Sequence, residues 1–120
     1  MGASSYRDLE VWAKAMDVAQ AVYAAAELMP KKEEYRLTAQ MIRAAISIPA
    51  NIAEGHARAT RRDYAHFISI SRGSAAELET LLLLASRTKH LSEAVTQPLL
   101  EETERVARML NRLHARLKGG

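Results

Sequence analysis

Gln40-Met-Ile-Arg-Ala-Ala-Ile-Ser-Ile-Pro-Ala-Asn-Ile-Ala-Glu-Gly55 is the stretch on which the fold turns. Met41, Ala44, Ile48 and Ile52 recur at helical spacing as one stripe, and Ile42, Ala45, Ile46 and Ala53 widen it. A surface helix needs only one apolar stripe, so apolar residues on two flanks imply two packing partners. Such a helix fits a bundle that also packs against copies of itself. Pro49 has no N–H to give to the carbonyl four residues back, so a kink is expected between Ala45 and Pro49.

Outward from this segment, three more helical periods appear and no strand candidate lies between them. Upstream, Leu9, Trp12, Met16, Ala19, Tyr23 and Ala26 recur in alternating steps of three and four, the spacing of a helix seam. Pro30 disfavours helical geometry in the residue before it and ends this segment at Met29. Downstream, Thr60-Arg-Arg-Asp63 resembles a capping arrangement, with a hydroxyl at the N-cap and an acid three residues on. The stripe that follows is Tyr64, Phe67, Ser71, Ala75, Leu78, Leu82 and Ala85, and the four leucines Leu81 to Leu84 again point to burial on more than one side. After a turn from Lys89 to Ser92, Leu99, Thr103, Val106, Leu110, Leu113 and Leu117 mark the last helix, with Pro98 in its opening turns. The predicted helices span about residues 8–29, 32–57, 61–88 and 93–118. Short connections force antiparallel neighbours. The expectation is all-α: an up-down-up-down four-helix bundle, a single domain over residues 1–120.

With 48% hydrophobic and 26% charged residues, the chain has the composition of a folded globular protein. The absence of cysteine excludes disulfides and thiolate chemistry. The N-terminal MGASSYRDLE has no apolar run of a secretory signal, and no stretch of about 18 apolar residues could span a bilayer. The cytoplasm is the expected compartment.

Enzymatic constellations are hard to find. A di-iron bundle needs Glu-x-x-His on two helices, and around His56, His66, His90 and His114 only Asp63/His66 comes near that pattern. Glu101 and Glu104 flank the apolar stripe instead of lying on it, and no glycine-rich phosphate loop exists. No catalysis, metal or cofactor is expected. The polar residues of the inner helices read as a buried network or a subunit contact: Arg43, Ser47, Asn51 and Glu54 on the second helix, Ser74 and Glu77 on the third. Within it, Glu54 is expected to accept from Arg43 or a backbone amide. Gly73 costs about 1 kcal/mol in a helix interior relative to Ala, which suggests close approach of another helix backbone.

Net charge is only +3, but the basic residues are clustered. Arg105, Arg108, Arg112 and Arg116 line one face of the last helix, and residues 56–72 hold Arg58, Arg61, Arg62 and Arg72 against Asp63 alone. Glu101→Arg105 and Glu104→Arg108 pairing would engage two of them, leaving Arg112 and Arg116 unneutralised. Guanidinium rows suit phosphate backbones, through bidentate contacts and counterion release. RNA or DNA binding is the leading expectation. A structural oligomer that recruits a protein partner, with no nucleic-acid contact of its own, is the alternative.

Tyr6-Arg-Asp-Leu-Glu-Val-Trp12, Pro30 with Glu34-Tyr-Arg-Leu37, Arg43 through Gly55 and Gly73-Ser-Ala-Ala-Glu-Leu-Glu79 together resemble a family of small four-helix bundles. The family was first noticed in intervening sequences of bacterial large-subunit ribosomal RNA genes, and the resemblance covers about residues 6–118. It implies assembly into a homopentameric ring. It also implies kinship with the accessory protein of diversity-generating retroelements, which binds nucleic acid through basic surface and partners a reverse transcriptase.

Overall fold

The computed structural model describes residues 5–119, so the N-terminal segment read above as lacking a signal lies partly outside the described residues. Four helices account for most of them: α1 (Glu10–Ala26), α2 (Leu37–His56), α3 (Arg61–Arg87) and α4 (Glu93–Gly119). Short 3-10 turns occupy Tyr6–Asp8 and Lys31–Glu33, and no strand occurs among the described residues. A helix of 27 residues is about 40 Å long, so α3 and α4 run the length of a molecule measuring 45 × 21 × 20 Å. α1 packs on α2 and α4, and α3 on the same two, with no diagonal contact. The helices form a square, alternating in direction. One end therefore gathers the starts of α1 and α3 and the finishes of α2 and α4.

α1 faces the core with a stripe that overlaps the expected one only in part: Ala19 is buried and Leu9 and Trp12 pack against the core's edge. Val11, Ala15, Val18, Val22 and Ala25 are buried, whereas Met16 is 44% and Tyr23 51% exposed. Both sets share the same spacing, so periodicity could not choose between them. Packing does: valine and alanine let α1 come close to two neighbours at once. Met16 and Tyr23 are left outside. Tyr6 meets Trp12 edge-on at 5.2 Å and closes the end of this helix against the preceding turn.

α1 stops at Ala26 and α2 starts at Leu37, so the first connection is longer than the sequence suggested. Arg36 occupies the N-cap of α2 and offers no side-chain cap. The buried Glu33 carboxylate supplies one instead, accepting from the Leu37 N–H at 3.3 Å. From there α2 runs uninterrupted through the buried Pro49.

α2 and α3 come very close where α2 ends. A Cβ on Gly55 would lie 2.9 Å from the Phe67 Cβ and 3.2 Å from the Tyr64 carbonyl oxygen. Thr60 opens α3 as the sequence suggested, its hydroxyl accepting from the Asp63 N–H at 3.1 Å. α3 closes at Lys89, whose φ of 62° is left-handed and lets the His90 N–H return to the Ala85 carbonyl at 2.9 Å. Of the leucine run, Leu82 is fully buried, while Leu83 and Leu84 face outward. α4 buries Leu99, Thr103, Val106 and Leu110 along the expected stripe, and Leu113 and Leu117 pack against the core's edge.

Candidate nucleic-acid interface

Polar groups join α2 to α3 along their seam. The Ser47 and Ser74 hydroxyls share a hydrogen bond of 2.7 Å, and the Asn51 amide donates to the Ser47 hydroxyl at 2.9 Å and to its carbonyl at 2.8 Å. One turn away, the Ser71 hydroxyl donates to the Ile48 carbonyl at 2.9 Å. Each such bond is worth about 1 kcal/mol net, and each hydroxyl left without one would cost more. Glu54 stands outside this network: it accepts from Arg58 at 2.8 Å, not from Arg43. The i,i+4 partner on the same exposed face is simply nearer. Arg43 and Glu77 are exposed. Within the chain no backbone approaches Gly73, since a Cβ there would meet nothing within 4 Å. The tight glycine is Gly55.

Apart from Arg72, the seven arginines of these clusters do not form one row. Arg58 is engaged twice, bound to Glu54 and stacked over the Phe67 ring at 4.6 Å. Arg105 pairs with Glu102 at 2.9 Å, not with Glu101, which accepts from Gln97. Arg108 lies one turn further along α4 and, with Arg105, stands mid-bundle on the exposed flank. The remaining four gather at one end. Arg61 donates to the Arg116 carbonyl at 2.6 Å and ties the start of α3 to the finish of α4.

Two hollows flank that tie. A cleft of about 660 Å³ opens between α3 and α4, lined by Arg61, Arg62, His66, Ser69, His114 and Lys118 over an apolar floor of Ala65 and Leu117. A groove of about 230 Å³ opens on the other side of α4, where Arg112 and Arg116 meet Leu9, Glu10 and Val11 of the α1 end. Arg116 is close enough to Tyr64 to counteract in part the rise in phenol pKa that burial causes. Among the described residues, Arg62, Arg108, Arg112 and Lys118 carry no ion pair.

A cross-helix contact that sequence reasoning missed supports the cleft. Arg72 of α3 donates through Nε to the Asn111 side-chain oxygen at 2.8 Å and through Nη1 to His114 Nδ1 at 3.2 Å. A guanidinium can only donate. His114 Nδ1 must therefore accept, which places the proton of the neutral ring on Nε2. Burial, then the charges of Arg72 and Lys118, hold the His114 pKa below the ordinary histidine value. Stability from this contact is complete above the ordinary value and is lost as pH falls from there through the lowered folded-state value, because the unfolded chain takes up the proton first. Melting temperature is expected to drop more between pH 7 and pH 5 for the parent than for His114→Gln, which keeps an acceptor for Arg72. Equal drops would detach the ring from this role. No local signal could have paired residues 42 positions apart.

Among the described residues, no group of three His, Cys, Asp or Glu side chains is placed to hold a metal ion, and no helix is long and apolar enough to cross a membrane. The family described as 23S rRNA-intervening sequence protein matches residues 7–112, nearly the whole chain. Among solved structures, a protein of unknown function from the S23 ribosomal protein family of Bacteroides thetaiotaomicron superposes with a TM-score of 0.82. The two are 22% identical, and the match covers 87% of this chain and 97% of that one, which speaks for a shared fold. No curated protein matches.

Proposed function

We propose that this chain, which belongs to the 23S rRNA-intervening sequence protein family, is a non-catalytic, self-assembling adaptor that binds RNA or DNA through the basic end of its bundle. The carrying observation is the convergence there of Arg61, Arg62, Arg112, Arg116 and Lys118 around two adjoining hollows. Glu10 is the one carboxylate lining either hollow. A solvated face of mixed charge would need no such segregation, and a net charge of +3 understates it. Arg108 extends the surface along α4, with Arg105 beside it paired to Glu102, whereas Arg58 is held by both Glu54 and the Phe67 ring.

Self-assembly is favoured by apolar surface that the square of helices leaves uncovered. Met16, Tyr23 and Ile46 line a groove between α1 and α2, and Ile46 is 43% exposed. A second set, Ile70 and Leu84, lies on the outer side of α3, which also carries Gly73. Two different patches on one subunit suit a head-to-tail interface, which closes into a ring when the rotation allows. Five subunits is the number the family resemblance implies, and a ring would repeat the basic end around its axis.

Binding of a fluorescent RNA oligomer, followed by anisotropy, tests the reading. If about four phosphates are neutralised, at a slope near −0.7 per phosphate for single strands, affinity should fall roughly 20-fold as salt rises threefold. A salt-independent affinity, or none at near-physiological salt, would remove nucleic acid from the account.

A further inference from the structure

We propose that the cleft between α3 and α4 receives the terminal phosphate of a single strand, so that the protein recognises strand ends as well as backbone; this rests on the nucleic-acid reading above. Its dimensions argue for one phosphate. Along α3 the lining runs from Arg61 to Ser69, about 12 Å at the helical rise per residue. That length seats a phosphate with its sugar and cannot track a run of nucleotides. The cleft volume, about 660 Å³, is that of a site for a small ligand. A duplex carries its phosphates on a convex surface and cannot push one into a concavity of this size.

The lining chemistry agrees. Arg61, Arg62 and Lys118 bring three cations to the cleft and no carboxylate lines it. A terminal monoester carries about −1.5 to −2 charges at neutral pH, more than the single charge of an internal diester, so the same cations favour it. Arg62 and Lys118 are free of ion pairs among the described residues. Through its bond to Arg72, His114 is held as a neutral ring whose remaining donor is Nε2–H. Ser69 adds a hydroxyl, and Leu117 with Ala65 offers an apolar floor for the sugar.

The test uses three fluorescent oligonucleotides of one sequence, ending in a 5′-phosphate, a 3′-phosphate or hydroxyls only, with the full chain at fixed salt. One phosphorylated strand should bind about fivefold tighter than the hydroxyl-ended strand, in keeping with an added charge among several cations. Millimolar inorganic phosphate should erase that advantage. Arg62→Ala/Lys118→Ala, which alters two exposed side chains and should leave circular dichroism unchanged, should bring the phosphorylated strand down to the hydroxyl-ended one. Arg108→Ala should weaken all three alike. Equal affinities for the three strands would overturn end recognition and leave backbone binding standing. Failure of every strand to bind would overturn both.

Discussion

Gly55→Ala is expected to destabilise the bundle by about 2 kcal/mol, although alanine is the better helix former. Propensity favours the substitution by about 1 kcal/mol. Sterics oppose it more strongly. The new methyl carbon would sit 2.9 Å from the Phe67 Cβ and 3.2 Å from the Tyr64 carbonyl, and neither atom can swing aside by a change of rotamer. Relief requires α2 to move away from α3, and forced overpacking of this kind costs about 1–3 kcal/mol or more. The shift would also disturb the Arg58–Phe67 stacking and the Tyr64 ring beside Arg116. Thermal melting should fall by roughly 5–10 °C. Gly73→Ala, compared at a dilution where chains do not associate, should instead gain up to about 1 kcal/mol, because nothing lies within 4 Å of its Cβ. A stabilised Gly55→Ala would mean that the two helices are farther apart than described.

The contrast between the two glycines shows where a sequence stops being informative. Both lie in helical segments, and propensity alone would penalise both, Gly73 in mid-helix more than Gly55 in the last turn of α2. Which one is a contact depends on where two helices cross, and a one-dimensional pattern does not record that. The same limit applies to α1. Its valine-and-alanine stripe and the expected stripe through Met16 and Tyr23 have identical spacing, and only the close approach of two neighbours selects the smaller residues. By contrast, α4 could be read directly, because its polar face is rich in charge and leaves one apolar stripe. Thr60 could be read as a cap for a similar reason: a cap is a local arrangement of four residues. The candidate site divides along the same line. Its arginines were visible as clusters, but the cleft that brings together four polar lining groups from α3 and two from α4 exists only once those helices are side by side. Arg72 read as one more cation of that cluster, although it is tied across the bundle to Asn111 and His114.

The apolar side chains that packing leaves outside the core give the largest effect expected in assembly. Met16, Tyr23 and Ile46 form one exposed apolar groove, and Ile70 and Leu84 are separate exposed apolar positions along the outer side of α3. Burying a large apolar side chain is worth about 1.5–3 kcal/mol, so a glutamate in either patch removes that gain and adds the cost of desolvating a charge. Ile46→Glu and Leu84→Glu are each expected to weaken association at least about 100-fold, the equivalent of roughly 2.8 kcal/mol. Both positions are nearly half exposed in the lone chain, so each variant should keep its helical circular dichroism. Mixing the two variants then separates the kinds of symmetry. In a head-to-tail ring, the groove of one subunit meets the α3 patch of the next. The Leu84→Glu chain retains an intact groove and the Ile46→Glu chain an intact α3 patch, so the mixture can form one good contact and no more. Sedimentation should show each variant alone as a monomer and the equimolar mixture as a heterodimer. A two-fold interface built from one self-complementary patch predicts no such rescue, and a mixture that stays monomeric would exclude the ring.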